Sequence, residues 1–143
     1  MLPLDKYPFK AMISIIEYLH SSKEKSTPYN IQRASNSCLS DTLEILNMLE
    51  YLTAQGKFVE TSEGWTKKLI KDLSPKKPGR FYYLEGIFQI ISLFKDGNAL
   101  SVENISKILS IDKEEILPYL KFLEIITKYG YIKSEINNYQ YEY

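Results

Sequence analysis

A mainly helical chain with small β-hairpins, of the α+β class, is predicted by three observations. Apolar residues recur at helical spacing, as Met12, Ile13, Ile16 and Leu19 in one run and Leu39, Leu43, Leu46 and Leu49, widened by Ile45, Met48 and Leu52, in another. Short β-branched, aromatic segments follow the longer helical runs, KFVET at 57–61 and YIKSE at 131–135. The chain also repeats itself. A shift of 74 residues with no gap puts Ile16 on Ile90, Leu19 on Leu93, Ile31 on Ile105, Leu43 on Leu117, Leu46 on Leu120, Leu49 on Leu123, Glu50 on Glu124, Thr53 on Thr127 and Gly56 on Gly130. Chance rarely keeps apolar positions and a glycine in register together.

Regular structure begins after Pro3 and Pro8, with a first helix from Phe9 to about His20 and a polar loop, SSKEKS, behind it. Thr27 is a good N-cap and Pro28 suits the first helical position, where its missing N–H costs nothing. The short helix they open runs through Ile31 to about Ala34. Ser35, Asn36 and Ser37 then compete with helix continuation through their side chains, so a turn is expected there. A longer helix follows and stops at Gly56, a natural C′ residue. Short helix, turn and long helix make a helix-turn-helix.

KFVET is read as a strand whose partner is RFYYL at 80–84, which leaves 62–79 as an unusually long connecting wing. Trp65, Leu69 and Leu73 share a helical face within it, and a third strand is equally compatible. The second unit has a helix from Ile87 to about Lys95 stopped by Asp96-Gly97, a short helix capped by Ser101 and ending at Leu109, a turn at 110–112 and a long helix to about Lys128. Its closing hairpin turns at Ile136-Asn137-Asn138. Three helices and a hairpin, twice, give two winged-helix units, 1–85 and 86–143.

The 143 residues suffice for one ordinary domain or two small ones. One body of that size buries about two-thirds of its unfolded surface, each half alone nearer 60%, so the halves should lean on each other or on a second copy. Lys and Arg number 18, as do Asp and Glu, so no global field draws the chain to nucleic acid or to a membrane. The half up to Gly86 holds 12 basic and 10 acidic residues, and the remainder 6 and 8. One cysteine excludes an internal disulfide framework, and no 18-residue apolar run or leader pattern is present. These point to an intracellular, cytoplasmic chain without a membrane partner.

The helix-turn-helix at 27–55, followed by KFVE and PKKPGRFYYL, resembles the winged-helix transcription regulators of archaea and bacteria. The resemblance covers nearly all of the chain at fold level, and its local signature is Gly79-Arg80-Phe81-Tyr82-Tyr83, a wing end returning to the core. It implies a tandem winged helix-turn-helix that binds double-stranded DNA. Tandem winged helices also serve as protein-binding subunits in chromosome-segregation and membrane-remodelling complexes, so an adaptor is the alternative.

The start of the second helix of such a motif faces the major groove. Here that region offers Asn36, Ser37 and Ser40 for base edges, with Asp41 and Glu44 as acidic neighbours that either accept from cytosine or serve the helix dipole. The stretch behind it concentrates Lys67, Lys68, Lys71, Lys76, Lys77 and Arg80 in 14 residues against Asp72 alone, a composition suited to phosphate. The second unit is poorer for DNA, with Asp112, Glu114, Glu115 and Pro118 on its long helix and Lys133 alone against Glu135 and Glu142 in its hairpin. Its alternating Tyr129, Tyr131, Tyr139, Tyr141 and Tyr143 suit wing packing or a protein interface, including that of a homodimer. His20 is read as a helix-end residue contacting the last carbonyls, and Cys38 as an inert buried thiol rather than a redox sensor. No phosphate loop, Cys/His metal spacing or catalytic set is present, so neither enzyme, metal nor cofactor is expected.

Overall fold

A computed structural model describes residues 9–22, 26–36, 38–62, 64–68, 85–94, 99–135 and 138–142. Helix α1 (Phe9–Ser21) buries Phe9, Met12, Ile15, Ile16 and Leu19 along one stripe. Helix α2 (Pro28–Ser35) is capped by Thr27, whose hydroxyl accepts from the Asn30 amide at 3.4 Å, and carries Pro28 in its first turn. It ends at Asn36, held left-handed at φ 54 while its N–H donates to the Gln32 carbonyl at 3.0 Å. Helix α3 (Leu39–Thr53) follows. Its buried face is Thr42, Ile45, Leu46, Met48, Leu49, Leu52 and Thr53, which keeps Ile45, Leu46, Met48, Leu49 and Leu52 of the expected stripe and leaves Leu43 38% exposed.

Strands β1 (Lys57–Thr61) and β2 (Gly64–Lys68) pair antiparallel, with Thr61 opposite Gly64 and Phe58 opposite Lys67. KFVET therefore pairs with GWTKK, so the third strand left open in the connecting stretch forms at 64–68 and its hairpin with β1 closes within a few residues. Gly64, whose φ of +123 only glycine adopts freely, opens the second strand, and Trp65 beside it is buried. Residues 69–84, including the expected strand at 80–84, lie outside the described residues.

Helix α4 (Glu85–Ser92) precedes α5 (Val102–Leu109), α6 (Lys113–Thr127) and the antiparallel pair β3 (Tyr131–Glu135) and β4 (Asn138–Glu142). The expected stop at Asp96-Gly97 and the apex at 136–137 lie outside the described residues. The repeat reaches the atomic level. The bounds of α5, α6, β3 and β4 are those of α2, α3, β1 and β2 moved by 74 residues. Ser101 caps α5 as Thr27 caps α2, accepting from the Asn104 amide at 3.1 Å, and Ser110 is left-handed at φ 56 where Asn36 is. Thr53 donates to the Leu49 carbonyl at 2.7 Å and Thr127 to that of Leu123 at 2.6 Å.

The hairpins pack across the repeat. β1 lies against α6, while β3 lies against α3 and β4 against α1. The buried Phe58 amide donates to the Thr127 hydroxyl at 3.1 Å, and the Phe58 ring meets Phe94 edge-on at 5.4 Å. Trp65 and Leu100 exchange both backbone hydrogen bonds at 2.7 Å, forming a bridge beside β2 just ahead of α5. Ser26, 74 residues before Leu100, also makes an isolated bridge. Phe9 meets Phe122 at 4.9 Å, Tyr51 meets Phe88 at 5.7 Å, and α3 packs on α6. Every contact named here between two residues or elements crosses the expected boundary at residue 85, and the buried residues of both halves form one apolar cluster. Each half thus receives from the other the cover that the sequence reading assigned in part to a second copy.

Candidate nucleic-acid interface

The outward side of the α2–turn–α3 segment is built by helical spacing. With Ile31 buried, Tyr29, Gln32, Arg33 and Asn36 share the opposite face of α2 and line a shallow surface depression of about 360 Å³. Tyr29 is 67% exposed. On α3 the same logic leaves Ser40, Leu43, Glu44 and Asn47 outside, since they fall at i, i+3, i+4 and i+7 away from the core stripe. A phenol, a guanidinium and amides on one face can donate to phosphate oxygens, and the Asn36 and Asn47 amides and the Ser40 hydroxyl can meet base edges.

Of the residues expected to face DNA, Asn36 and Ser40 are exposed here, and Ser37 lies outside the described residues. Asn36 uses its backbone N–H in the helix cap, so its side chain is what remains for a partner. Lys67 differs from expectation. Strand alternation puts it two residues after the buried Trp65 and directly opposite buried Phe58, so it is half-buried at the base of the hairpin, and desolvation lowers its pKa below the usual 10.5. Lys68 is the last residue of β2, opposite Lys57, again at the base and not at the tip. Lys71, Lys76, Lys77 and Arg80 lie outside the described residues.

Tyr29, Gln32 and Arg33 were not singled out by sequence reasoning, which looked to the second helix of the motif. Their spacing around Ile31 carried the signal. Cys38 is exposed and not buried, because it occupies the extended N-cap position of α3 (φ −73, ψ 164), and its Sγ lies 3.4 Å from the Ser40 Oγ. His20 does more than end a helix. Its ring stacks on that of Tyr129, centroids 3.5 Å apart and planes within 10°, joining α1 to the end of α6.

The equivalent surface of the second half exposes Glu103, Lys107, Ser110, Glu114 and Lys121, with Ile108 58% and Leu117 39% exposed. Acids begin α6, which suits the helix dipole and repels phosphate. No group of His, Cys, Asp and Glu able to hold a metal occurs among the described residues, and none of the described helices is long and apolar enough to cross a membrane. No protein-family model matches the chain, and neither the curated proteins nor the solved structures contain a match to it.

Proposed function

We propose that this chain is a tandem winged helix-turn-helix protein that binds double-stranded DNA and acts in transcription regulation, by binding and not by catalysis, in the cytoplasm. The observation that carries the reading is the pairing of a helix–left-handed turn–helix with a hairpin, repeated at 74 residues, with Tyr29, Arg33, Asn36 and Ser40 exposed on one copy of it. The first half supplies the main DNA surface, and Lys71, Lys76, Lys77 and Arg80 in the stretch that follows β2 add phosphate contacts.

A gel shift with random duplex at two salt concentrations tests this. Binding should weaken steeply with salt, with a slope of roughly −4.5 in log K against log salt if Arg33 and those four cations are engaged, and each cation removed should reduce it by about 0.9. Changing Lys76, Lys77 and Arg80 together to alanine should flatten the slope for every sequence alike, whereas Asn36→Ala or Ser40→Ala should change sequence preference and leave the slope nearly intact.

The exposed Ile108 and Leu117 among Glu103, Glu114 and Glu115 favour a second reading for the other half. Apolar residues ringed by charge suit a protein partner, another copy included. Absence of any shift at low salt would favour a protein-binding adaptor throughout.

A further inference from the structure

We infer that each recognition surface of this protein is composite, its helix-turn-helix coming from one half of the sequence and its hairpin from the other. This rests on the DNA reading above and changes which residues are expected to act together. Four observations carry it. β1 packs on α6 and β3 on α3, a pair of contacts related by the 74-residue shift, as a two-fold exchange requires. The Phe58 amide reaches Thr127. Trp65 in β2 is bridged to Leu100, the residue before the cap of α5. Gly64 approaches that segment so closely that a Cβ there would lie 2.6 Å from the Leu100 carbonyl oxygen.

The β1–β2 hairpin, with Lys57, Lys67 and Lys68, thus belongs beside α5–α6, the pair that opens with acids. That hairpin stands near the half of the molecule least suited to phosphate. The β3–β4 hairpin, on which Lys133 sits opposite Gln140, belongs with α1 and α3, and so with Tyr29, Arg33 and Asn36. A duplex that engages α2–α3 therefore meets residues 131–142 and not residues 57–68. A contiguous reading of the sequence predicts the reverse.

Hydrogen exchange on the full chain, with and without a random duplex of roughly 20 base pairs at low salt, decides between them. Protection should appear together in 28–47 and 131–142. Protection of 28–47 with 57–68, leaving 131–142 unchanged, would overturn the composite surface while leaving DNA binding intact. No protection anywhere would overturn the DNA reading and this one with it. A DNA-free arm checks the exchange itself. Thr127→Val removes the acceptor of the Phe58 amide and should speed exchange at Phe58 in the opposite half, whereas Thr127→Ser should not. Unchanged exchange at Phe58 in Thr127→Val would refute the crossed pairing on which the composite surface depends.

Discussion

Thr127 holds two bonds at once, donating to the Leu123 carbonyl and accepting from the Phe58 amide, and both lie in the apolar interior. Thr127→Val should therefore cost about 1–3 kcal/mol in chemical denaturation, the usual penalty for a buried amide left without a partner, while Thr127→Ser keeps most of it. Gly64→Ala meets both a left-handed φ and a backbone carbonyl that cannot step aside, and a loss of about 2 kcal/mol or more is expected. Lys67 has the opposite tendency. Its lowered pKa means that the unfolded chain holds the proton more readily just below pH 10.5, so stability rises with pH through that window and the charge is a cost at neutral pH. Lys67→Met should raise the melting temperature at pH 7 and flatten the rise near pH 10. Tyr119, whose pKa is raised by burial and by Glu115, acts in the other direction above pH 10, and comparison with the parent chain isolates the lysine.

Among the elements, the caps were the most legible, because the chemistry of a cap is local. Thr27, Pro28 and Ser101 announce helix starts, and Gly56 and Gly130, at φ 117 and 126, announce stops. Strand β2 was not legible in the same way. The run from Trp65 to Leu73 satisfies a helical face and an alternating strand equally, and only the tertiary gain from burying Trp65 beside Leu100 separates them. On α3 the width of the apolar stripe is the part that spacing alone leaves open, since leucines mark both Leu43, outside, and Leu46, inside. At the turn between α5 and α6, Ser110 sits left-handed without the side-chain amide that eases this for Asn36. Ser110→Gly should stabilise the protein by about 0.5–1 kcal/mol, and a denaturant midpoint that falls instead would refute that assessment.

For the whole molecule, periodicity tells which face of an element is buried and nothing about what buries it. Leu46 and Leu120 announce core faces from sequence alone, yet the packing of β1 on α6 and of β3 on α3 depends on contacts that no local pattern encodes. The candidate site shows the same limit, since the exposed positions of α2 follow from spacing around Ile31 and the hairpin beside them does not. With one apolar cluster spanning both halves, unfolding should be a single cooperative transition in calorimetry and by fluorescence of Trp65 alike. Because the crossing occurs within one chain, it gives the melting temperature no dependence on protein concentration, so any dependence found would report association through the surface around Ile108 and Leu117.

The hydrogen bond from Phe58 to Thr127 spans 69 residues of sequence. During synthesis β1 and β2 are made well before α6 exists, and α1 waits still longer for β4, so neither half can complete its interior while the other is missing. Closure of such long loops precedes any reward from the contacts they allow, which places this chain among slow folders for its helical content. The emerging first hairpin, with Trp65 and Phe58 still uncovered, is the segment of this sequence most in need of protection from misassociation until the last residues of α6 arrive.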